Sequence, residues 1–496
     1  MAGNQSGLNY LTNLNENTLN SEVKDLLQNM SPHNVKLELS RRGYNDQEIA
    51  YAVHAVSKNS KYIRNTNANI VLFKDFFDKI GYGFASPMLI YILLFSLGAP
   101  IIFIGVVAGL RSLITLAVSS LNKEYDKKYN IGRKRVATFG TLFGLSFLMI
   151  AAGKALNSSI LFSIGFLLST VFVVIHGDLY SSYVINKLSR TRSHITSKIV
   201  SYFGLIITAI AFIIAAYLLD FNLLNVNLGF VNFTVSGYLL VLEIVAFAFI
   251  FSSYAFSFVK PEINIQNKTK ISAEKNKSGF LSEYMKDIKI NFSKLFKNKK
   301  IKTIFYGTLF SGSMQTLIAT FSGIYIFNRF SNSEINPFFY IAIIFGIGII
   351  VASGAPGIAR GMANAFGKTP MLIFSILLIS IFPLSIYLGV SYYGLIISHA
   401  VAVLGASSLS VVQSFIIRNT LEEEERKTYF SAITPLMSII SPIIIILLSI
   451  IAYTYGLKNL FIIIIIVNIV LVIPIYFSLV VRAHQEYKKN MFEWSL

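Results

Sequence analysis

From residue 76 onward, long apolar runs alternate with short polar breaks. Twelve runs stand out, at about 76–97, 99–121, 135–154, 158–186, 198–219, 235–259, 301–328, 337–359, 369–388, 391–418, 428–453 and 458–481. Each has roughly the length an α-helix needs to cross about 30 Å of hydrocarbon. The apolar residues are continuous, not alternating, which excludes a membrane β-barrel. The pattern predicts an all-α polytopic membrane protein with twelve transmembrane helices. Breaks after the odd-numbered runs are very short, apart from 220–234. Most breaks after the even-numbered runs are longer and basic. The stretch NKEYDKKYNIGRKR, from Asn122 to Arg135, is the clearest example.

Charge gives this pattern an orientation. The chain of 496 residues carries 43 Lys and Arg against 24 Asp and Glu, a net charge of +19. In a soluble protein that excess would point to nucleic acid. Here the bases gather beside apolar spans. The short breaks and their helix ends hold only Lys154, Arg329 and Lys458, Arg111 lies inside the second run, and all the rest share the side of both termini. The positive-inside rule makes that side cytoplasmic. An integral protein of the cell membrane with both termini inside is expected, with no nucleic-acid partner. The chain has no cysteine, so disulfides, thiolate metal sites and cysteine nucleophiles are excluded. The first 65 residues have no apolar h-region, so no cleavable leader is expected.

Two pieces lie outside the spans. Residues 1–64 form a cytoplasmic tail with a small helical unit: LNSEVKDLLQNM has helical apolar spacing, Pro32 follows Ser31 as a helix start, and Asn45 caps a helix with Glu48 at its third position. RRGYNDQEIAYAV resembles the glycine-aromatic turn of ubiquitin-associated-type three-helix domains, which implies a protein partner; a solubilising or regulatory tail is the simpler alternative. The second piece, 260–300, is basic. Its FLSEYMKDIKINFSKLF sets Leu281, Met285, Ile288, Phe292 and Phe296 at helical spacing with lysines between, which predicts a helix on the anionic inner leaflet. A tail follows at 483–496.

The two halves repeat. SYVINKLSRTRSHITSKIVSYF at Ser182 and SFIIRNTLEEEERKTYFSAIT at Ser414 are 232 residues apart, IYILLFS at Ile90 and IYIFNRF at Ile324 are 234 apart, and Gly132 and Gly367 are 235 apart. Three registers near one offset indicate a duplication of six spans, with bundles at 69–259 and 301–482. In this the sequence resembles the major facilitator superfamily (MFS), two six-helix bundles joined by a basic cytoplasmic loop. The motif of that family between helices 8 and 9 is matched by RGMANAFGK: Met362, Ala363, Phe366, Gly367 and Lys368 fit, with Asn364 in place of the acid and Ala365 in place of the arginine. Between helices 2 and 3, Gly132, Arg133 and Lys134 fit, and Asp126 with Lys127 supply the acid-base pair across an insertion. The resemblance implies a cytoplasmic latch that holds an outward-open state; a plain topological anchor is the alternative. GMANAFGKT is not a phosphate-binding loop, because five residues separate Gly361 from Gly367 and no strand precedes it. Helix 4 has no arginine in its outer half and helix 5 no Gly-Pro pair, which weakens a drug-proton antiporter reading. The acidic run Glu422 to Glu425 reads as a solvated turn.

Ionisable residues inside a membrane need a partner or a wet cavity. Arg111, His176, Asp178 and Glu243 are read as such buried charges or coupling groups. At about 100° per residue, His176, Tyr180 and Tyr183 share one face of the fourth span. In the family resembled, helices 1, 4, 7 and 10 line the substrate cavity, which adds Ser86, Tyr91, Gln315 and Gln413. Arg111 lies about ten residues, and Asp178 about nine, from the cytoplasmic ends of their spans, one depth of roughly 14–15 Å, which predicts a buried ion pair. The function expected is a secondary transporter moving a small molecule by alternating access, with a coupling proton or cation left open. A drug or metabolite exporter, a lipid-linked flippase and a non-transporting sensor are the alternatives. No nucleophile-base or metal-ligand cluster suggests an enzyme, and no cofactor is expected.

Overall fold

The computed structural model of the chain describes residues 32–42, 46–128, 132–188, 198–221, 224–227, 232–260, 299–420 and 422–479, together with Glu22, Val23, Leu26, Tyr44 and Val481. The amphipathic segment expected within 260–300 and the tail at 483–496 lie outside the described residues, apart from Lys260 and the two lysines that open α9.

Helix α1 (Pro32–Arg41) leads into α2 (Asp46–Phe84), and α3 (Pro87–Phe95) completes the first crossing. The others of the first half are α4 (Ile101–Lys128), α5 (Arg133–Ala155), α6 (Ser159–Lys187), α7 (Lys198–Leu219) and α8 (Gly237–Phe256). The second half has α9 (Lys299–Arg329), α10 (Pro337–Phe366), α11 (Lys368–Leu388), α12 (Tyr392–Thr420), α13 (Glu423–Tyr455) and α14 (Leu457–Val467), which continues through a π-turn at Asn468–Val472. Eight helices are long and apolar enough to cross a membrane, and shorter apolar helices run at Phe203–Leu219 and Ile439–Tyr455. With the α2–α3 pair and the hydroxyl-rich α9, these make the twelve crossings among the described residues.

Two expectations are corrected. The first crossing is not one helix over 76–97. Pro87 has no amide hydrogen to donate and drives Ser86 out of the α region (φ −52°, ψ 124°), so the helix breaks in mid-membrane. Upstream, α2 has 39 residues without interruption, so the boundary expected at 64–69 falls inside one helix. The small N-terminal core of Val23, Val35, Leu39, Ile49, Ala52 and Val53 is thus carried on the helix that enters the membrane. The second correction is local: the 220–234 connection holds a hairpin, β1 (Leu224–Asn227) antiparallel to β2 (Asn232–Val235), with Leu224 opposite Val235.

The helices pack as a pseudo-symmetric pair of bundles. Helix pairs α5–α6, α4–α6, α5–α8 and α2–α7 in the first half have counterparts in α11–α12, α10–α12, α11–α14 and α9–α13 in the second. Across the bundles α4 meets α13 as α10 meets α7, and α3 meets α9. The duplication read from the sequence is therefore also a duplication of contacts.

Where the core is shared matters most. Near the short connections one apolar core joins both bundles, running from Leu89–Leu94, Ile104 and Phe212 to Phe321, Ile341, Ile445 and Phe461. Near the side of the termini there are two separate cores. One holds Val71, Val136, Leu179, Tyr183 and Phe256; the other holds Ile304, Ile376, Val412, Tyr429 and Tyr476. Among the described residues, the bundles share a core, the seal, at the end of the short connections and have separate cores at the other. Glycines make the seal. A Cβ on Gly105 would strike Ser449, one on Gly109 would press Ile446 at 3.1 Å, and one on Gly346 would meet Ile213 at 2.6 Å. At the same end, the Asn336 side chain donates to the Asp220 carbonyl at 3.2 Å, tying α10 to the end of α7.

Because the native chain has no cysteine, a Thr316→Cys variant carries a single thiol, at an exposed position on α9. It should label with a membrane-impermeant maleimide from the side of the termini only. Adding Gly105→Val should wedge α4 from α13 and let the thiol label from the opposite side. Unchanged sidedness would mean that Gly105 does not hold the seal.

Candidate functional site: a central cavity between the bundles

A cavity of about 620 Å³ lies under the seal, between the two halves. The break in the first crossing opens it: Ser86, Met88 and Tyr91 line one wall, with Arg111 of α4 beside them. No side chain caps the N-terminus of α3. The facing wall is α9, through Gly312, Gln315, Thr316 and Ser322, backed by Phe345 of α10, Phe382 of α11 and His399 of α12.

Arg111 is held in place within the first half. Its Nε donates to the Thr170 hydroxyl at 3.2 Å, and its guanidinium lies 5.0 Å from the centre of the Phe166 ring. Tyr91 packs edge-on against the same ring at 5.4 Å. Across the cavity, His399 lies 4.7 Å from Phe345 and 4.6 Å from Phe382, centre to centre. Most hydroxyls of α9 are satisfied by their own helix: Thr316 bonds the Gly312 carbonyl and Thr320 the Thr316 carbonyl. Two polar atoms on the wall are not satisfied. Ser322 Oγ and His399 Nδ1 are buried and lack a hydrogen-bond partner, which is costly in an apolar surround unless something else fills the role.

Of the candidates named from sequence, Ser86, Tyr91, Gln315 and Arg111 meet at this cavity. His176, Tyr180 and Tyr183 do not. Their face of α6 turns into the first bundle, where His176 Nδ1 donates to the Val136 carbonyl at 3.0 Å, His176 stacks on Tyr180, and Tyr183 packs against Phe256. Helix angle groups residues on a face but does not say which neighbour the face meets. Gln413 also lies elsewhere, donating to the Tyr476 hydroxyl at 2.6 Å in the core of the second bundle. Glu243 is half-buried on α8, outside the residues that line the cavity.

The expected Arg111–Asp178 pair is not formed. Helix α4 extends to Lys128, two turns past the span end at 121, so depths counted from that end were wrong. Counted from the opposite ends, Arg111 is ten residues into α4 and Thr170 eleven into α6, whereas Asp178 is nineteen in. Eight residues of helix separate Thr170 from Asp178, roughly 12 Å.

The latch candidates rest within their own bundles. Arg133 donates to the Val259 carbonyl at the end of α8, and Lys368 lies 5.2 Å from the Phe415 ring. Gly132, Lys134 and Asn364 are exposed, and Gly367 breaks α10 from α11 with φ +86°. The side chains of Asp126 and Lys127 lie outside the described residues.

A second polar group went unnoticed in the sequence. Lys74 and Asp78 form an ion pair on α2, with Lys74 fully buried. The Lys74 ammonium also sits 4.1 Å over the Tyr180 ring. Ser252 of α8 donates to Asp78 at 2.6 Å, and Tyr180 donates to Asp75 at 2.8 Å. Both acids belong to KDFFDK, where i,i+3 and i,i+4 spacing could have signalled the pairing. His399 was legible in the same way, as a lone imidazole inside a tenth span.

No protein-family model matches the chain, and none of the curated proteins does. Solved structures match well. The crystal structure of the nucleoside transporter NupG is 14% identical, over 84% of this chain and 98% of that one, with a TM-score of 0.61. A bacterial homologue of the human lysosomal transporter Spinster, in an inward-facing and unoccupied conformation, is 12% identical over 84% and 96%, with a TM-score of 0.58. A bacterial homologue of the iron transporter ferroportin, in an inward-facing state, is 14% identical over 84% and 98%, with a TM-score of 0.56. At these identities the likeness is one of fold, the fold these transporters have.

The Lys74–Asp78 pair yields a stability test. Removing one partner leaves a buried charge uncompensated, so Lys74→Met or Asp78→Leu alone should destabilise by about 3–5 kcal/mol. The double variant Lys74→Met with Asp78→Leu should recover part of the loss, since Ser252 can fall back on the Phe249 carbonyl at 3.1 Å. Thermal unfolding of the purified variants in detergent measures both; additive losses would mean that the two charges are satisfied separately.

Proposed function

We propose that this protein is a membrane transporter that carries a small solute by alternating access, here with its cavity open toward the cytoplasm. The observation that carries the reading is the one-sided seal: a central cavity lies between two pseudo-symmetric bundles that share a core at one end only. A cavity with a wall from each bundle changes shape when the bundles rock, and it opens to one side when the other closes. The inward-facing Spinster and ferroportin homologues, whose fold this chain shares, support the same reading.

The basic side is assigned to the cytoplasm by its Lys and Arg. The three bases on the opposite side all have local roles there. Lys154 donates to the Ser96 hydroxyl at 2.8 Å, Arg329 donates to the Gly389 and Val390 carbonyls at 2.9 Å, where α11 ends, and Lys458 lies 5.5 Å from the Tyr387 ring. They cap and pack helix ends and do not weaken the charge asymmetry. Single cysteines at Asn225 and Asn332 should label from outside intact cells, and one at Asn276 should not. The reverse pattern would overturn the orientation.

The loop between α4 and α5 is assigned a latch role in the opposite, outward-open state. Arg133 and Lys368 engage groups of their own bundles, as disengaged latch residues would when the cytoplasmic ends are apart. Asp126→Asn and Gly132→Leu should each lower transport in reconstituted vesicles at unchanged membrane expression. Normal transport in both variants would reduce the loop to a topological anchor.

A further inference from the structure

The walls of the cavity are chemically unequal, and the inequality specifies a ligand. We infer that the solute is a small organic anion, a carboxylate or phosphate attached to a flat apolar ring, bound with its charge at Arg111 and its ring toward the aromatic corner of Phe345 and His399, which Phe382 backs. The inference rests on the transporter reading above and names the substrate class of that same cavity.

Four observations converge. Among the described residues, Arg111 is the one charged side chain on the cavity wall, and no carboxylate lines it. Its Nε is engaged by Thr170, its plane by Phe166, and it also hydrogen-bonds the Tyr91 side chain, which fixes the guanidinium at the cavity wall as a donor of the charge-assisted bonds that carboxylates and phosphates accept. The α3 N-terminus opens on the same wall. It has nine residues behind it, begins at Pro87 and has no side-chain cap, so its first amides and the positive end of its dipole face an anion favourably. Finally, Ser322 is fully buried with an unpartnered hydroxyl on the cavity wall, and His399 Nδ1 is buried and unpartnered as well.

The ring follows from the other bundle. Phe345, Phe382 and His399 meet at ring-centre distances of 4.6–6.1 Å, an aromatic corner that suits a flat partner better than a branched one. The volume of about 620 Å³ is within the usual range for small-molecule sites. Charge on one bundle and stacking on the other let one molecule bridge both, so its binding free energy depends on how the bundles sit.

The test uses the purified full-length protein in detergent and six probes: benzoate, phenyl phosphate, benzamide, benzylamine, acetate and inorganic phosphate. Thermal stabilisation, and protection of Thr316→Cys from maleimide, are read at millimolar probe. Benzoate or phenyl phosphate should stabilise and protect; which of the two does so separates carboxylate from phosphate as the charged group. Benzamide and benzylamine lack the anion, acetate and phosphate lack the ring, and all four should act weakly. Arg111→Gln should weaken the effective anion by about tenfold or more, and Arg111→Lys should retain part of it. Gln315→Glu, on the facing wall, adds an acid without removing a buried group; it should weaken the anion and strengthen benzylamine. Benzamide or benzylamine acting as well as the anions would overturn the inference. So would the absence of any anion effect, or an unaltered anion affinity in Arg111→Gln or Gln315→Glu. The sidedness of Thr316→Cys labelling needs no ligand. Loss of anion preference with intact sidedness therefore defeats this inference alone, whereas labelling from both sides at once defeats the transporter reading.

Discussion

The approach of two backbones, made possible by glycine, decides where this molecule can close. In lipid there is no hydrophobic drive between helices, because the tails are as apolar as the side chains, so helix association depends on close packing of small residues. Gly105 and Gly109 let α4 reach α13, Gly346 lets α10 reach α7, and Gly323 accommodates Met88 where α3 meets α9. These crossings lie toward the short connections. Toward the termini the described residues form two separate cores, which in the proposed reading is the side where the cavity opens.

The proposed rocking needs bundles that move as bodies, and a buried polar network ties the helices of the first bundle together. Lys74, Asp75 and Asp78 join α2 to α6 and α8 through Tyr180, Phe256 and Ser252. An ion pair buried this way contributes modestly to stability and strongly to register, since any slip strands a charge. Lower on α2, Asn67 bonds the Lys260 main chain twice, at 2.8 and 2.9 Å, and fastens the helix to the end of the sixth crossing. Because α2 is continuous from Asp46, the N-terminal unit is attached rigidly to the helix whose break forms the cavity wall.

Most of the fold was legible in the apolar pattern. Eleven of the twelve runs correspond to helices, with end shifts of as much as seven residues where α4 and α10 run past their apolar stretches, and the offset near 233 foretold the paired contacts. The cavity was only half legible. Ser86, Tyr91, Gln315 and Arg111 converge, but His176, Tyr180 and Gln413 point into the interiors of their own bundles. Periodicity fixes a residue's face on its helix, while the neighbour that face meets depends on tertiary packing. The Arg111–Asp178 pairing failed for a related reason. A charged stretch such as NKEYDKK can continue a helix beyond the membrane, so hydropathy misjudges the helix end and every depth counted from it. The hairpin at 224–235 was hidden because four-residue strands leave little period to detect.

The repeat explains why the cavity can bind one molecule from two sides. Offsets of 233 to 234 carry Phe166 to His399 and Arg111 to Phe345. In the first bundle the pair is a guanidinium on a ring, 5.0 Å apart. In the second it is a ring against an imidazole, 4.7 Å apart. The same helix crossing, α4 with α6 and α10 with α12, therefore presents a cation on one wall and an aromatic surface on the other. Duplication provides two equivalent places facing one cavity, and divergence at those places provides two chemistries. A symmetric cavity would hold a solute equally from either half. With charge on one half and stacking on the other, a solute of the proposed kind would be oriented, and the proposed rocking would change both interactions at once. The seal set by the glycines and the polarity set by Arg111 are thus two consequences of one duplicated frame.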